Sequence, residues 1–442
     1  MSYKIKDLLK LEVAPALGCT EPTAIALASA AAASLIKDKN SIEKIDITVD
    51  PNIYKNGLAV SIPGAKGNSG LDLAAALGAF GGDPTLKLEV LNPIDDDILN
   101  IAKKFVNDKK VTVSLYDKVG KIHIHTRIET NNNEIAEAII EELHDNIVSM
   151  KLNGEEVKNE LITERKADNK DSSPLSELEE WLKERELEEL IKLLDELDDE
   201  DYQFLKEGVE YNLKLSEYGL IHGPGLGVGS TLERLVKERL LKKDMVLHAK
   251  IITSAAADAR MSGVKLPAMS SAGSGNHGLT AILPIWAVKD YINCNSEKTV
   301  LKSIALSHVI TAYIKAFTGR LSAVCGCSIA AGAGATAGIT YLMGGNLKHI
   351  ANAIKNLIED LAGVICDGAK ASCAFKLSTA AGSAVNSALF ALHGIDVKST
   401  DGIIGKTPEQ TMKNVGRLST QGMIETDRTI LDIMIKKYFE EI

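Results

Sequence analysis

The sequence predicts an α+β protein, with an N-terminal mixed α/β sheet domain followed by a mostly α-helical, Ala/Gly-rich domain. Three observations predict this. Alternating apolar and polar runs, bounded by Gly, Pro, Asn or Asp, crowd the chain up to about residue 165. They vanish after about residue 205, where long Ala, Gly, Ile and Leu stretches take over. Between the two lies ERKADNKDSSPLSELEEWLKERELEELIKLLDELDDED, almost all charge plus Leu and Ile. The predicted boundaries are therefore 1–163, 164–205 and 206–442.

In the first part, Ile5 to Val13 and Ala24 to Ile36 have helical character. IEKIDITVDP, GLAVSIPG, LKLEVLNP, VTVSLYD and KIHIHTRIET carry the strand pattern. Asp95 to Phe105 and Glu134 to Asp145 read as helices packed on that sheet. In the acidic stretch, Leu182, Leu187, Leu190, Leu193, Leu194 and Leu197 fall at helical spacing. They predict an amphipathic arm or linker that docks by its leucines and solvates its charged face. Beyond it, Asp244 to Met261, Lys298 to Phe317, Ser328 to Met343, Leu347 to Ile365 and Ser378 to Leu392 predict helices, with the glycines in the connecting loops.

Composition narrows the function. The net charge is −10, and no Lys/Arg cluster is interleaved with aromatics, which argues against nucleic acid as a partner. Aromatics make up only 4%, so closely packed small-residue helices and a buried site are expected rather than a broad aromatic groove. The uncharged run from Leu321 to Leu347 is long enough to span a bilayer, but Gly, Ala, Ser and Thr dominate it. It reads as a buried helix. MSYKIKDLLKLEV lacks the basic–apolar–small pattern of a signal peptide. Together these predict a cytoplasmic protein with no membrane partner. A homo-oligomer is compatible with the sequence.

Several short motifs invite chemistry. SSAGSGNHG, Ser270 to Gly278, is the kind of loop that pyridoxal-phosphate dehydratases wrap around their cofactor. Such an enzyme also needs a Schiff-base Lys on α/β layers and a phosphate cradle, and the surroundings here are helical. The plainer reading is a helix–helix turn in which Gly273 and Gly275 take positive φ and Ser274 caps the next helix. A third reading has Ser274, Asn276 and the helix-start N–H groups binding an anion such as an amino-acid carboxylate. HGPGLGVGS contains G-x-G-x-G, but no strand precedes it, which argues against a dinucleotide site. His123 and His125 share one strand face without a third ligand nearby, so they read as ordinary histidines.

The six cysteines are Cys19, Cys294, Cys325, Cys327, Cys366 and Cys373. AVCGCSIAAG and VICDGAKASCAFK place four of them in two turns bordering helices, without zinc-ribbon or ferredoxin spacing. They read either as small core residues or as thiolates presented to one metal centre. Cys19, in EVAPALGCTEP, stands where a helix opens, and a thiol there has its pKa lowered.

In order along the chain, PALGCTEP, PGAKGNSG, AGSGNHGLTAILP, GRLSAVCGCSIAAGAGATAGITYLMGG and GVICDGAKASCAFKLSTA resemble the iron–sulfur L-cysteine desulfidases. These are related to the α-chain of iron–sulfur L-serine dehydratase. The resemblance covers nearly the whole chain except about 165 to 205. It implies a [4Fe–4S] cluster held by three cysteines, with one iron left for substrate. Carried onto this sequence, it assigns Cys366 and Cys373 to the cluster, with Cys325 as third ligand and Cys327 as the alternative, and makes Cys19 the proton acceptor. Asn68 and the Ser274, Asn276 and His277 loop are expected to bind substrate. Cys294 reads as structural. The implied reaction turns L-cysteine into hydrogen sulfide, pyruvate and ammonia. An L-serine dehydratase and a non-catalytic cluster sensor are the other readings.

Overall fold

A computed structural model describes residues 3–116, 122–162, 174–293, 296–319 and 322–440. Cys294 and the charged residues 164–173 lie outside them. The architecture is α+β. Its strands are β1 (Pro15–Leu17), β2 (Ile42–Val49), β3 (Val111–Leu115), β4 (His123–Thr130), β5 (Ile135–Glu141), β6 (Ile147–Leu152), β7 (Glu155–Glu156) and β8 (Pro267–Met269). The first helices are α1 (Ile5–Glu12), α2 (Thr20–Ala33), α3 (Pro51–Gly57), α4 (Leu71–Gly81) and α5 (Asp96–Asn107). Then follow α6 (Pro174–Lys183), α7 (Leu187–Lys192), α8 (Asp199–His222), α9 (Val228–Lys237), α10 (Met245–Met261) and α11 (Gly275–Val288). The last are α12 (Glu297–Thr318), α13 (Ala330–Leu342), α14 (Leu347–Leu361), α15 (Cys373–Leu392), α16 (Pro408–Arg417) and α17 (Ile424–Glu440).

Six strands form one sheet in the order β3-β2-β4-β5-β6-β7. Only the β2–β3 pair is parallel; the other pairs run antiparallel. Along β4, burial alternates residue by residue, so one face is packed and the other half-wet. Helix α2 covers the packed face and is buried along its whole length, which its run of small alanines allows. His123 and His125 sit on the other face, each beside a glutamate across the β4–β5 pair, Glu141 and Glu137. They are sheet-surface histidines.

Three local expectations need correction. Glu134 to Asp145 contains a strand, β5, rather than a helix. Its Ala and Glu favour helix, but Ala136, Ala138 and Ile140 can be buried together only if the run pairs with β4, so tertiary burial overrides propensity. GLAVSIPG and LKLEVLNP form turns and a short 3-10 helix, Pro84–Glu89, rather than strands. Among the described residues neither run finds a partner strand, and Val60, Ile62, Val90 and Leu91 are buried from these turns instead.

The helical half has its own core, built around α10, α11, α12, α13 and α15. Ile5, Leu8, Leu9 and Val13 of α1 and its exit are buried in this second core, and so is Cys19. The chain thus starts in the helical half before building the sheet. In the acidic segment, Leu178, Leu182, Leu187, Leu190 and Leu194 are buried in the same core. Each contributes about 1.5–3 kcal/mol of burial. Helix α12 is long and apolar enough to cross a membrane, but 89% of its apolar window is buried inside the protein.

Leu190→Ala is expected to lower the unfolding free energy by about 2–5 kcal/mol in urea denaturation. A change below about 0.5 kcal/mol, the size of a surface effect, would mean that α7 only rests on the core.

Candidate active site

Two short backbone pairings assemble the site. Strand β1 runs antiparallel to β8, with Pro15 opposite Met269 and Leu17 opposite Pro267. Beyond it, the Ser270 amide donates to the Ala14 carbonyl (2.8 Å) and the Ala272 amide to the Glu12 carbonyl (2.8 Å). This sets the Cys19 loop beside SSAGSGNHG. The second is a lone antiparallel bridge between Val324 and Ile365. There the Cys325 amide donates to the Val364 carbonyl (2.9 Å), and the Cys366 amide to that of Ala323 (2.6 Å). Thus the CGC and CDGAKASC loops lie side by side.

A cavity of about 400 Å³ opens where these pairings meet. Cys19, Ser274, Asn276, His277, Cys325, Cys327, Cys366 and Cys373 all line it. Asn68 is absent from the lining. Its amide donates to the Ala65 carbonyl at 2.5 Å and closes its own loop. Arg260, Glu21, Lys315 and Lys376 line the cavity too, and sequence reading did not single them out. A signal for Arg260 existed: it is the lone arginine at the end of the small-residue run IITSAAADARM.

Cys19 is the N-cap residue of α2. Its thiol donates to Glu21 Oε2 at 2.9 Å, and the Thr20 hydroxyl donates to the same oxygen at 3.2 Å. The expected lowering of its pKa is not what the surroundings produce. Burial, then the Glu21 charge, push the thiol well above its ordinary value, and the nearby Arg260 opposes them. At rest Cys19 is a protonated thiol held by a carboxylate.

The turn itself combines two of its sequence readings. Gly273 has φ +76°, whereas Gly275 is helical and opens α11. Ser274 is the N-cap residue but makes no side-chain cap bond. Asn276 Oδ1 accepts from Arg260 Nη1 (2.9 Å), and its Nδ2 faces Met261 Sδ (3.4 Å). His277 Nδ1 donates to the Ser271 carbonyl (3.2 Å). A Cβ on Gly326 would come within 2.4 Å of His277 Nε2, so the imidazole presses against the CGC loop. Beneath the turn, His308 Nδ1 meets Ser271 Oγ at 2.9 Å, and burial pulls that imidazole down to about 3.

The wall cysteines are shifted in different directions, Cys325 downward and Cys327, Cys366 and Cys373 upward. The Cys327 thiol and Ser328 donate to Cys325, and with Lys376 nearby they bring Cys325 down to about 6 despite burial. Burial raises Cys366 and Cys373, the latter to about 11, while Lys55 and Lys376 oppose the shift at Cys366 and Lys370 at Cys373. Lys370 and Lys376 are both tied to Asp367. Cys373 is the first residue of α15, but there burial outweighs the pull of the helix start. Gly368 is forced by geometry, with φ +90° and a would-be Cβ 2.2 Å from the Lys55 carbonyl oxygen. Among the described residues, no three His, Cys, Asp or Glu side chains converge on a point that could hold a single metal ion. A four-iron cluster takes its thiolates at separate corners, and four thiols amid lysines suit such a group better than a single ion.

The glycine-rich loop HGPGLGVGS lies elsewhere. Its backbone amides turn onto the buried Asp258, whose Oδ2 accepts from Gly229 N at 3.0 Å. The donors that would cradle a pyrophosphate are occupied by the protein's own carboxylate.

Replacing Glu21 with Gln removes the negative charge beside the Cys19 thiol while keeping an amide oxygen there, so the thiol pKa should fall. Iodoacetamide labelling of Cys19, followed by peptide mass spectrometry from neutral to alkaline pH, should show its midpoint moving down. A midpoint that stays or rises would contradict the Cys19–Glu21 contact.

A family model described as serine dehydratase alpha chain matches residues 116–432. A UPF0597 protein of Desulfatibacillum aliphaticivorans is 59% identical over 439 residues, covering 99% of both chains. One from Desulfotalea psychrophila is 57% identical, again over 99% of both. One from Clostridioides difficile is 43% identical over 97% of this chain and 98% of its own. The chain belongs to the serine dehydratase alpha chain family, whose members are lyase-type enzymes.

Proposed function

We propose that the protein is an L-cysteine desulfidase that eliminates sulfide from L-cysteine with a site-differentiated [4Fe–4S] cluster. The observation that carries this reading is the convergence of a carboxylate-held thiol, Cys19, with the thiols of Cys325, Cys327, Cys366 and Cys373 on one cavity. Cys325, Cys366 and Cys373 would hold the cluster, with Cys327 as the alternative to Cys325. The backbone bridge supports Cys325, since it pairs that residue's strand segment directly with that of Cys366. When bound, such a cluster supplies a Lewis acid that polarises the substrate and eases departure of the β-substituent.

The chain's own residues do the rest. Cys19 Sγ gives its proton to Glu21 Oε2 and takes the substrate's α-proton. Burial, the larger cause of its raised pKa, makes the thiolate a stronger base once it forms. As the Cα–H bond breaks, the electron pair moves into the Cα–Cβ bond and the Cβ–S bond breaks, releasing HS⁻. The aminoacrylate left behind tautomerises, a proton moving from its nitrogen to Cβ, and water hydrolyses the resulting imine to pyruvate and ammonia. The Ser274–His277 turn and its buried surroundings orient the amino acid and exclude bulk water.

The same site could release water from L-serine, and the family match favours keeping that second reading. Sulfide and pyruvate assays on both amino acids separate the two. L-cysteine should yield sulfide and pyruvate in equal amounts, and Cys19→Ala should cut turnover by about 10²–10⁴-fold. Pyruvate from L-serine with no sulfide from L-cysteine would overturn the substrate. A cluster-loaded protein inactive on both would point to sensing.

A further inference from the structure

We propose that Arg260 and the uncapped start of α11 form a clamp for the substrate's α-carboxylate, beside Cys19. This assignment rests on the elimination reading for its substrate and on separate observations for its geometry. Arg260, near the end of α10, is 3% exposed. Its Nη2 donates to the Gly18 carbonyl (2.5 Å) and its Nη1 to Asn276 Oδ1 (2.9 Å), both neutral acceptors. Among the described residues, Nε has no hydrogen-bond partner. Among the described residues, no carboxylate lies within 4.0 Å of the guanidinium. An isolated buried cation is strongly disfavoured unless an anion meets it. The cavity it lines is where that anion can arrive.

A second feature points to the same corner. Helix α11 begins at Gly275, and no side chain caps it. Among the described residues, the amides of Gly275 and Asn276 therefore find no acceptor, and they carry the positive end of the helix dipole. A Cβ on Gly275 would lie 2.4 Å from Arg260 Nε, so the guanidinium abuts the helix start. Two positive groups thus meet at one point, while Glu21, the carboxylate in the same cavity, is engaged by the Cys19 thiol and the Thr20 hydroxyl.

A carboxylate suits the site because its two oxygens match the planar donors of a guanidinium. The position also fits the chemistry. Arg260 grips the carbonyl of Gly18, the residue before Cys19. A carboxylate held there leaves its α-carbon, one bond away, next to the Cys19 thiol. Asn276 then acts as a positioning residue, its amide oxygen fixing the guanidinium rather than touching the substrate.

The test is calorimetric titration of the cluster-loaded protein with L-alanine, which has the α-carboxylate but no leaving group, and with ethylamine, which lacks the carboxylate. The wild type should bind L-alanine and discriminate strongly against ethylamine. Arg260→Met should weaken L-alanine binding about ten- to hundredfold and lose most of that discrimination. A merely structural defect would weaken both ligands together. Gly275→Ala, which keeps the charge but crowds the guanidinium, should act in the same direction and serves if Arg260→Met does not fold. Unchanged L-alanine affinity in either folded variant overturns the clamp, as does wild-type protein that binds both ligands equally. Failure of the elimination reading looks different: no sulfide or pyruvate, with L-alanine binding and its dependence on Arg260 intact.

Discussion

The three-residue pairing of β1 with β8 is the constraint on which the rest of the site depends. It joins the start of the chain to the end of α10, two regions far apart in sequence. Because the pairing is antiparallel, the chain leaves β1 toward Cys19 close to where α10 delivers Arg260, and it leaves β8 toward the 270–278 turn. The Ser270 hydroxyl reinforces the join by donating to the Ala14 carbonyl (2.7 Å). Asn212 of α8 holds β8 from the other side, its Oδ1 accepting from the Met269 amide (2.9 Å). A short two-stranded ribbon has little stability of its own, so it is the surrounding helices that keep this one formed.

The cysteine wall repeats the device on a smaller scale. One bridge at Val324 and Ile365 sets two loops side by side, and α13 and α15 carry them into the core. His277 pressed against Gly326 connects this wall to the 270–278 turn. The charges are divided accordingly. The wall is surrounded by Lys55, Lys370 and Lys376, which favour thiolates. Across the cavity, burial and then the Glu21 carboxylate push the Cys19 thiol up. Even so, Cys325 is drawn below its ordinary value, whereas Cys366 and Cys373, like Cys19, are pushed above theirs chiefly by burial.

Much of this was legible in the sequence. The long helices were, because Ala, Ile and Leu runs bounded by Gly or Asn leave little alternative, and α10, α12 and α13 fall close to their expected ends. Strand β5 was not, because its Ala and Glu obey helix propensity until β4 offers a partner. The cysteines were legible as two clusters, but no local signal shows that one backbone bridge brings them together. The direction of the Cys19 shift was misread. A helix start lowers a thiol's pKa only if the thiol stays partly solvated, and here burial and Glu21 outweigh the dipole. Asn68 was singled out from a motif whose loop bonds to itself. Arg260 went unnoticed because the meaning of a buried cation depends on what is missing around it, which only the fold reveals.

The most direct test of the central claim is anaerobic purification with a visible spectrum and an iron and sulfide count, made on the wild type and on Cys366→Ala. A brown wild-type protein whose iron and sulfide match one [4Fe–4S] cluster per chain, with both lost in the variant, is the predicted result. An iron-free, yellow protein whose colour disappears on borohydride reduction of a lysine-bound pyridoxal phosphate would contradict it.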